Sequence, residues 1–243
     1  LIETLSSQTQ DKRGFDHFML KEIHEQPENW AHLINTYFSP QQAPHILPPK
    51  PKAVHLIACG SSAHAALTAQ YWLESEAQCP TRVFVASDYL DRQINVPKDC
   101  LLILISQSGE TADTLSALQK ANTLTPGYHS TLSLCNVAHS RLAQLTNGCL
   151  PLMCGPEIGV ASTKAFTTQL WVLLAIASHW SNTQPEDLET ICEAAQTVLD
   201  LSESIQTQAK RIISTQNLAF IGRHVGYPTV QEAALKLKEI SYL

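Results

Sequence analysis

Several things are missing from this 243-residue chain, and each absence removes a class of function. No stretch is apolar for eighteen residues. The nearest candidate, "FTTQLWVLLAIA", is interrupted by Thr167, Thr168 and Gln169 and is too short to span a bilayer, so no membrane segment is expected. No run of Lys or Arg occurs, and the formal net charge is -6, which argues against a nucleic-acid surface. The seven cysteines (59, 79, 100, 135, 149, 154 and 192) show neither C-x-x-C nor C-x-x-H spacing. An odd, irregular set reads as reduced thiols, mostly buried, in a cytoplasmic protein. The ten histidines contain no H-E-x-x-H pairing, so neither a metal nor a cofactor is expected. No signal peptide is expected, the chain opens on Leu1 rather than Met, and it stops at "KEISYL" inside an apparent helix. These ends predict a piece of a longer protein.

What is present alternates. Residues 15–38 carry helical spacing of apolar residues, with Pro27 placed to open a second helix. "SPQQAPHILPPKPK" holds five prolines and reads as a linker or extended arm, giving an N-terminal segment 1–52 and a main domain 53–243. From Ala53 the apolar runs "AVHLIAC", "TRVFVAS", "LLILIS", "STLSLCN", "CLPLMC" and "LAFIGR" read as strands separated by helical stretches. Strands that are apolar throughout, with helices between them, predict a parallel sheet covered on both faces, a three-layer α/β/α sandwich. Ligands in such sheets bind off the carboxyl ends of the strands.

Four stretches at such places carry polar groups. In "SQSGETADT" the hydroxyls of Ser106, Ser108 and Thr111, with Gln107 and the adaptable backbone of Gly109, precede a helix. The plain reading is a cap by Ser108. The excess of hydroxyls over what one cap needs favours a phosphate cradle instead. "ACGSSAH" repeats the pattern with Ser61 and Ser62, and its Cys59 reads as structural rather than nucleophilic. "GPEIGVASTKAF" offers Val160 and Ser162 to a polyol, while Lys164 reads equally as a phosphate partner or a surface residue. In "EAALKLKEISY", Glu232, Lys236 and Glu239 fall on one helical stripe, which is either a surface salt-bridge ladder or an acid–base set on a largely buried helix.

Together "FMLKEIHEQPE", "ACGSS", "SQSGETADTL", "EIGVASTKAFTTQL" and "EAALKLKEISY" resemble, in order, the sugar-isomerase (SIS) domain family. Within it they are similar to the branch that makes glucosamine 6-phosphate from fructose 6-phosphate and glutamine. The resemblance implies a five-stranded parallel sheet of flavodoxin-like type and a sugar-phosphate site. In it Ser106, Gln107, Ser108 and Thr111 would hold the phosphate with Ser61 beside them, and Ser62, Val160 and Ser162 would line the sugar. Glu239 would move the proton between C1 and C2, and Lys236 would stand near the open-chain sugar. The family often has Thr where this chain has Ser61, which keeps the hydroxyl. The implied partners are a glutaminase domain, a second SIS domain and a second copy in a homodimer. Two other readings stay open: a sugar-phosphate-binding regulatory module, and a stand-alone isomerase of another sugar phosphate.

Overall fold

The computed structural model describes residues 11–241. Its centre is a five-stranded parallel sheet of β1 (Ala53–Ala58), β2 (Thr81–Val85), β3 (Cys100–Ile105), β4 (Ser130–Cys135) and β5 (Gly148–Pro151), in the order β2-β1-β3-β4-β5. β1, apolar but for His55, and β3, apolar throughout, are buried at every position, as a central place in a covered sheet requires. β2, at an edge, alternates between buried and exposed residues.

Alternation along the strands divides the core between two faces. Val54, Leu56, Leu101, Ile103 and Ile105 point to one side, while Ile57, Leu102 and Leu104 point to the other. The first side is covered by α2 (Gln26–Tyr37), which α1 (Phe18–His24) precedes, and by α4 (Gly60–Ser75) and α8 (Lys164–Ser181), with the single turn α3 (Ala43–Ile46) against α2. α5 (Ala86–Asp91), α6 (Ala112–Ala121) and α7 (Arg141–Leu145) cover the second. The expected three-layer α/β sandwich is therefore present.

Pro27 lies in the first turn of α2, where its missing N–H costs nothing. α2 is bound to α8: Trp30 Nε1 donates to Thr167 Oγ1 at 3.1 Å, and the Trp30 and Trp171 rings lie 5.8 Å apart. Tyr37, fully buried, donates to the carbonyl of Pro151 at 2.8 Å. The proline-rich stretch is not the free linker that its composition predicts. Leu47 is in the core, and Trp180 Nε1 donates to the carbonyl of Pro48 at 2.8 Å, so apolar side chains between the prolines pin it down.

One expected strand does not form. Residues 218–223 pair with no edge, and Leu218, Phe220 and Ile221 are exposed. A run of strand composition needs partners to pack and pair with before it becomes a strand. This one follows two helices, α9 (Leu188–Leu199) and α10 (Ser202–Ile212), that bury no residue. The two helices are parted at Asp200 and Leu201. The last helix, α11 (Gly226–Ser241), lies against α4 with Pro228 in its first turn. It is less covered than expected: Pro228 and Glu232 are its buried residues, and Ile240 is exposed.

Candidate functional site

The sheet order places a topological switch between β1 and β3, since the chain leaves these neighbouring strands in opposite directions. Both strands end in hydroxyl-bearing loops at this crevice.

The loop after β3 is built from its own hydroxyls. Ser106, almost fully buried, accepts from the Gly109 amide at 3.0 Å, and its Oγ lies 2.9 Å from Thr111 Oγ1. Ser108 Oγ accepts from the Glu110 amide at 3.2 Å. Thr111 stands at the N-cap of α6 without a side-chain cap bond, so neither Ser108 nor Thr111 closes the helix end as the plain capping reading requires. The first turn of α6 and the positive end of its dipole therefore face the crevice, which suits an anion. Gly109 has φ +65°, and a Cβ there would come within 2.0 Å of Ser140 Oγ. Its need for glycine comes from packing against the fold beneath the loop, not from the approach of a ligand.

The loop after β1 runs straight into α4. Ser61 accepts from Lys236 Nζ at 2.9 Å, and Ser62 accepts from Gln169 Nε2 of α8 at 3.0 Å. Cys59 Sγ lies 3.9 Å from Thr114 Oγ1.

The segment 155–163 is irregular and held by carboxylates. Glu157 accepts from the amides of Thr163 (2.7 Å) and Ala165 (3.2 Å) and from Ser162 Oγ (3.1 Å), closing the start of α8. Lys164 is neither a phosphate partner nor a surface residue: it is buried, 2.6 Å from Glu25 Oε2. Glu25 also faces Lys21 at 3.4 Å. Burial pushes the Glu25 carboxyl up, but the hydrogen bond and charge of Lys164, with Lys21 adding to them, hold it below the ordinary value of 4.5.

The stripe on α11 is a ladder that turns inward. Lys236 Nζ lies 2.7 Å from Glu239 Oε2 and 3.3 Å from Glu232 Oε1, and Glu232 Oε2 lies 2.7 Å from His64 Nδ1. For Glu232 the upward push of burial is outweighed by hydrogen bonds from His64 and Ser61 and by the Lys236 charge, so its pKa falls. Three donors, from His64, Ser61 and Lys236, surround this carboxylate.

These pieces enclose a cavity of about 250 Å³. Ser61, Ser62, Ser106, Gln107, Ser108, Thr111, Val160, Ser162, Lys236 and Glu239 all line it, joined by Cys59, Glu157 and Gly159. Hydroxyls and helix amides thus occupy one part of the wall and a lysine–glutamate pair another, an arrangement able to seat an anionic end and exchange protons at the other. The residues that sequence reasoning missed are the supports: Glu22, Glu25, Glu157, His64 and Gln169. Glu157 has a local signal, an acid six residues before the N-cap it serves. The others meet partners more than a hundred positions away and have none.

A flavodoxin-like sheet with hydroxyl loops at its switch point defines the class, and residues 50–179 match the SIS domain family: the chain belongs to it. Glutamine–fructose-6-phosphate aminotransferase (isomerizing) from Legionella pneumophila is 42% identical over 98% of this chain and 41% of its own length. The enzyme of the same name from Pseudomonas aeruginosa is 40% identical over 96% of this chain and 41% of its own. The C-terminal domain of glucosamine-fructose-6-phosphate aminotransferase from Francisella tularensis superposes with a TM-score of 0.82 at 35% identity, covering 96% of this chain and 69% of that one. The chain spans 41% of the length of these longer relatives.

Proposed function

We propose that the cavity binds fructose 6-phosphate and glucosamine 6-phosphate as the first SIS domain of an isomerising glutamine–fructose-6-phosphate aminotransferase. The phosphate sits on Ser106, Gln107, Ser108 and Thr111 beside Ser61, over the N-terminal turn of α6. Ser62, Val160 and Ser162 face the open-chain sugar. Glu239 takes a proton from C1 and returns it to C2, which converts a ketose skeleton to an aldose. Lys236 offsets the negative charge that develops on the sugar oxygen between these steps. The observation that carries the reading is the 2.7 Å contact of Lys236 with Glu239 in the same cavity as the hydroxyl cradle. A module that only senses a sugar phosphate has no use for such a pair.

The full reaction also takes ammonia from glutamine, supplied by a glutaminase domain, and a second SIS domain. The greater length of the relatives supports both. Exposed apolar residues at Val198, Leu201, Ile205, Ile213 and Ile221 give the second domain a face to cover, and a homodimer in the cytoplasm is the expected assembly. Isothermal titration of this chain with fructose 6-phosphate, and with fructose as control, tests the site. Binding of the phosphate ester alone is the expected result; a folded chain that gives no heat with it would sink the proposal.

A further inference from the structure

Glu22 is an acid in the wrong place for a surface helix. It is 2% exposed, yet it sits on α1, outside the cavity lining. Burying a carboxyl without partners is costly, so its contacts say what it does. Its Oε1 accepts from the amides of Ile158 (2.5 Å) and Gly159 (3.1 Å), and its Oε2 accepts from Gly159 (3.1 Å). Both amides belong to the irregular segment that carries Val160 and Ser162 to the cavity. A Cβ at Gly159 would stand 2.6 Å from Glu22 Oε2 and 3.3 Å from Met19, so the glycine exists to admit this carboxyl. One turn further along the chain, Glu25 grips Lys164 at the far end of the same segment. The segment is thus held from inside by Glu157 and from outside by two acids of the N-terminal helical region.

We propose that Glu22 is a positioning residue for the sugar: by accepting two amides of the 158–159 turn, it sets the place of Val160 and Ser162 and so the affinity for the carbohydrate part of the ligand. The proposal rests on the hexose-phosphate reading of the cavity. The phosphate cradle is built on the other side, from the loop after β3, and makes no contact with Glu22. Substitution at Glu22 therefore changes selectivity between a sugar phosphate and bare phosphate. A merely structural residue would weaken both or neither.

The test compares the 243-residue chain with Glu22→Ala, Glu22→Gln and Glu22→Asp. Each is titrated with fructose 6-phosphate and with inorganic phosphate, and amide deuterium exchange is followed over residues 156–163 and 106–111. For Glu22→Ala, fructose 6-phosphate should bind at least about tenfold more weakly, with phosphate affinity within about twofold, as loss of two charge-assisted bonds implies. Exchange at 158 and 159 should rise while 106–111 stays protected. Glu22→Gln keeps the length and one accepting oxygen and should recover part of the loss; Glu22→Asp is a methylene too short and should recover none. Where Glu22→Ala fails to fold, the Gln and Asp variants carry the same comparison. A wild type that binds both ligands with variants that match it overturns the proposal alone, as does equal weakening toward both ligands. A wild type that binds neither overturns the hexose-phosphate reading and this proposal with it.

Discussion

Lys236 and Glu239, three residues apart on α11, meet at 2.7 Å, and the same ammonium reaches Ser61 on α4 at 2.9 Å. The pair is therefore tied to the wall that carries the hydroxyl loops and does not swing with the end of its helix. On the proposed function, Glu239→Gln in a chain of the relatives' full length should lower exchange of the C1 proton of fructose 6-phosphate with solvent by about 10²–10⁴-fold, the usual contribution of a positioned acid–base group. Binding of fructose 6-phosphate should change little. Proton NMR in deuterated water measures the first and titration the second; unchanged exchange would remove Glu239 from the reaction.

Gly109 and Gly60 both hold positive φ, +65° and +52°, but only Gly109 has a neighbour in the way. Gly109→Ala should cost about 3 kcal/mol or more, adding collision with Ser140 to the backbone penalty. Gly60→Ala should cost about 1–2 kcal/mol, the backbone penalty alone. Urea unfolding of the two variants orders them. Equal losses would mean that the 2.0 Å approach to Ser140 is relieved without effect.

The Lys164–Glu25 pair is buried on the lysine side, so removing one partner strands a charge. Lys164→Met should destabilise by about 3–5 kcal/mol, and adding Glu25→Gln should restore part of it. The folded pKa of Glu25 lies below 4.5, so the stability it contributes is complete above pH 4.5 and lost as pH falls through the folded value. Unfolding followed from about pH 6 to 3 should show this loss in the wild type and a shallower one in Lys164→Met.

His55 lies inside β1, with Nδ1 2.8 Å from the Tyr128 hydroxyl and its ring edge-on to Phe84 at 5.2 Å. Burial, with the Arg82 charge adding to it, lowers its pKa from 6.5 to about 4. The unfolded chain then takes up a proton that the folded chain refuses. Stability is complete above pH 6.5 and declines toward pH 4, by on the order of 3 kcal/mol if the whole shift is expressed. His55→Gln should flatten that part of the curve, measured by thermal unfolding across the range. A decline of the same size in the variant would assign it elsewhere.

Much of this was readable because it is local. The apolar runs at 53–58, broken only by His55, and at 100–105 have the length and composition of covered strands, and a surplus of hydroxyls after Ile105 exceeds what a helix cap uses. The spacing of Lys236 and Glu239 on one stripe is likewise a property of four neighbouring residues. What could not be read depends on distant partners. The run at 218–223 has the composition of a strand but pairs with no strand of the sheet. Lys164 looks like any lysine at a helix start until Glu25, 139 positions earlier, is seen to cover it. Glu22 sits in a helical pattern that gives no reason to bury an acid; the reason is two amides 136 and 137 positions away.

The family match begins at residue 50 and ends at 179, whereas Lys236 and Glu239 come from beyond it and Glu22 and Glu25 from before it. The matched stretch thus carries the hydroxyl loops and the 155–163 segment of the cavity wall, and the two flanks add the Lys236–Glu239 pair and the acids that hold that segment in place. Residues 50–179 moved alone into another protein would bring most of the cavity wall and leave its lysine–glutamate pair and its outer supports behind.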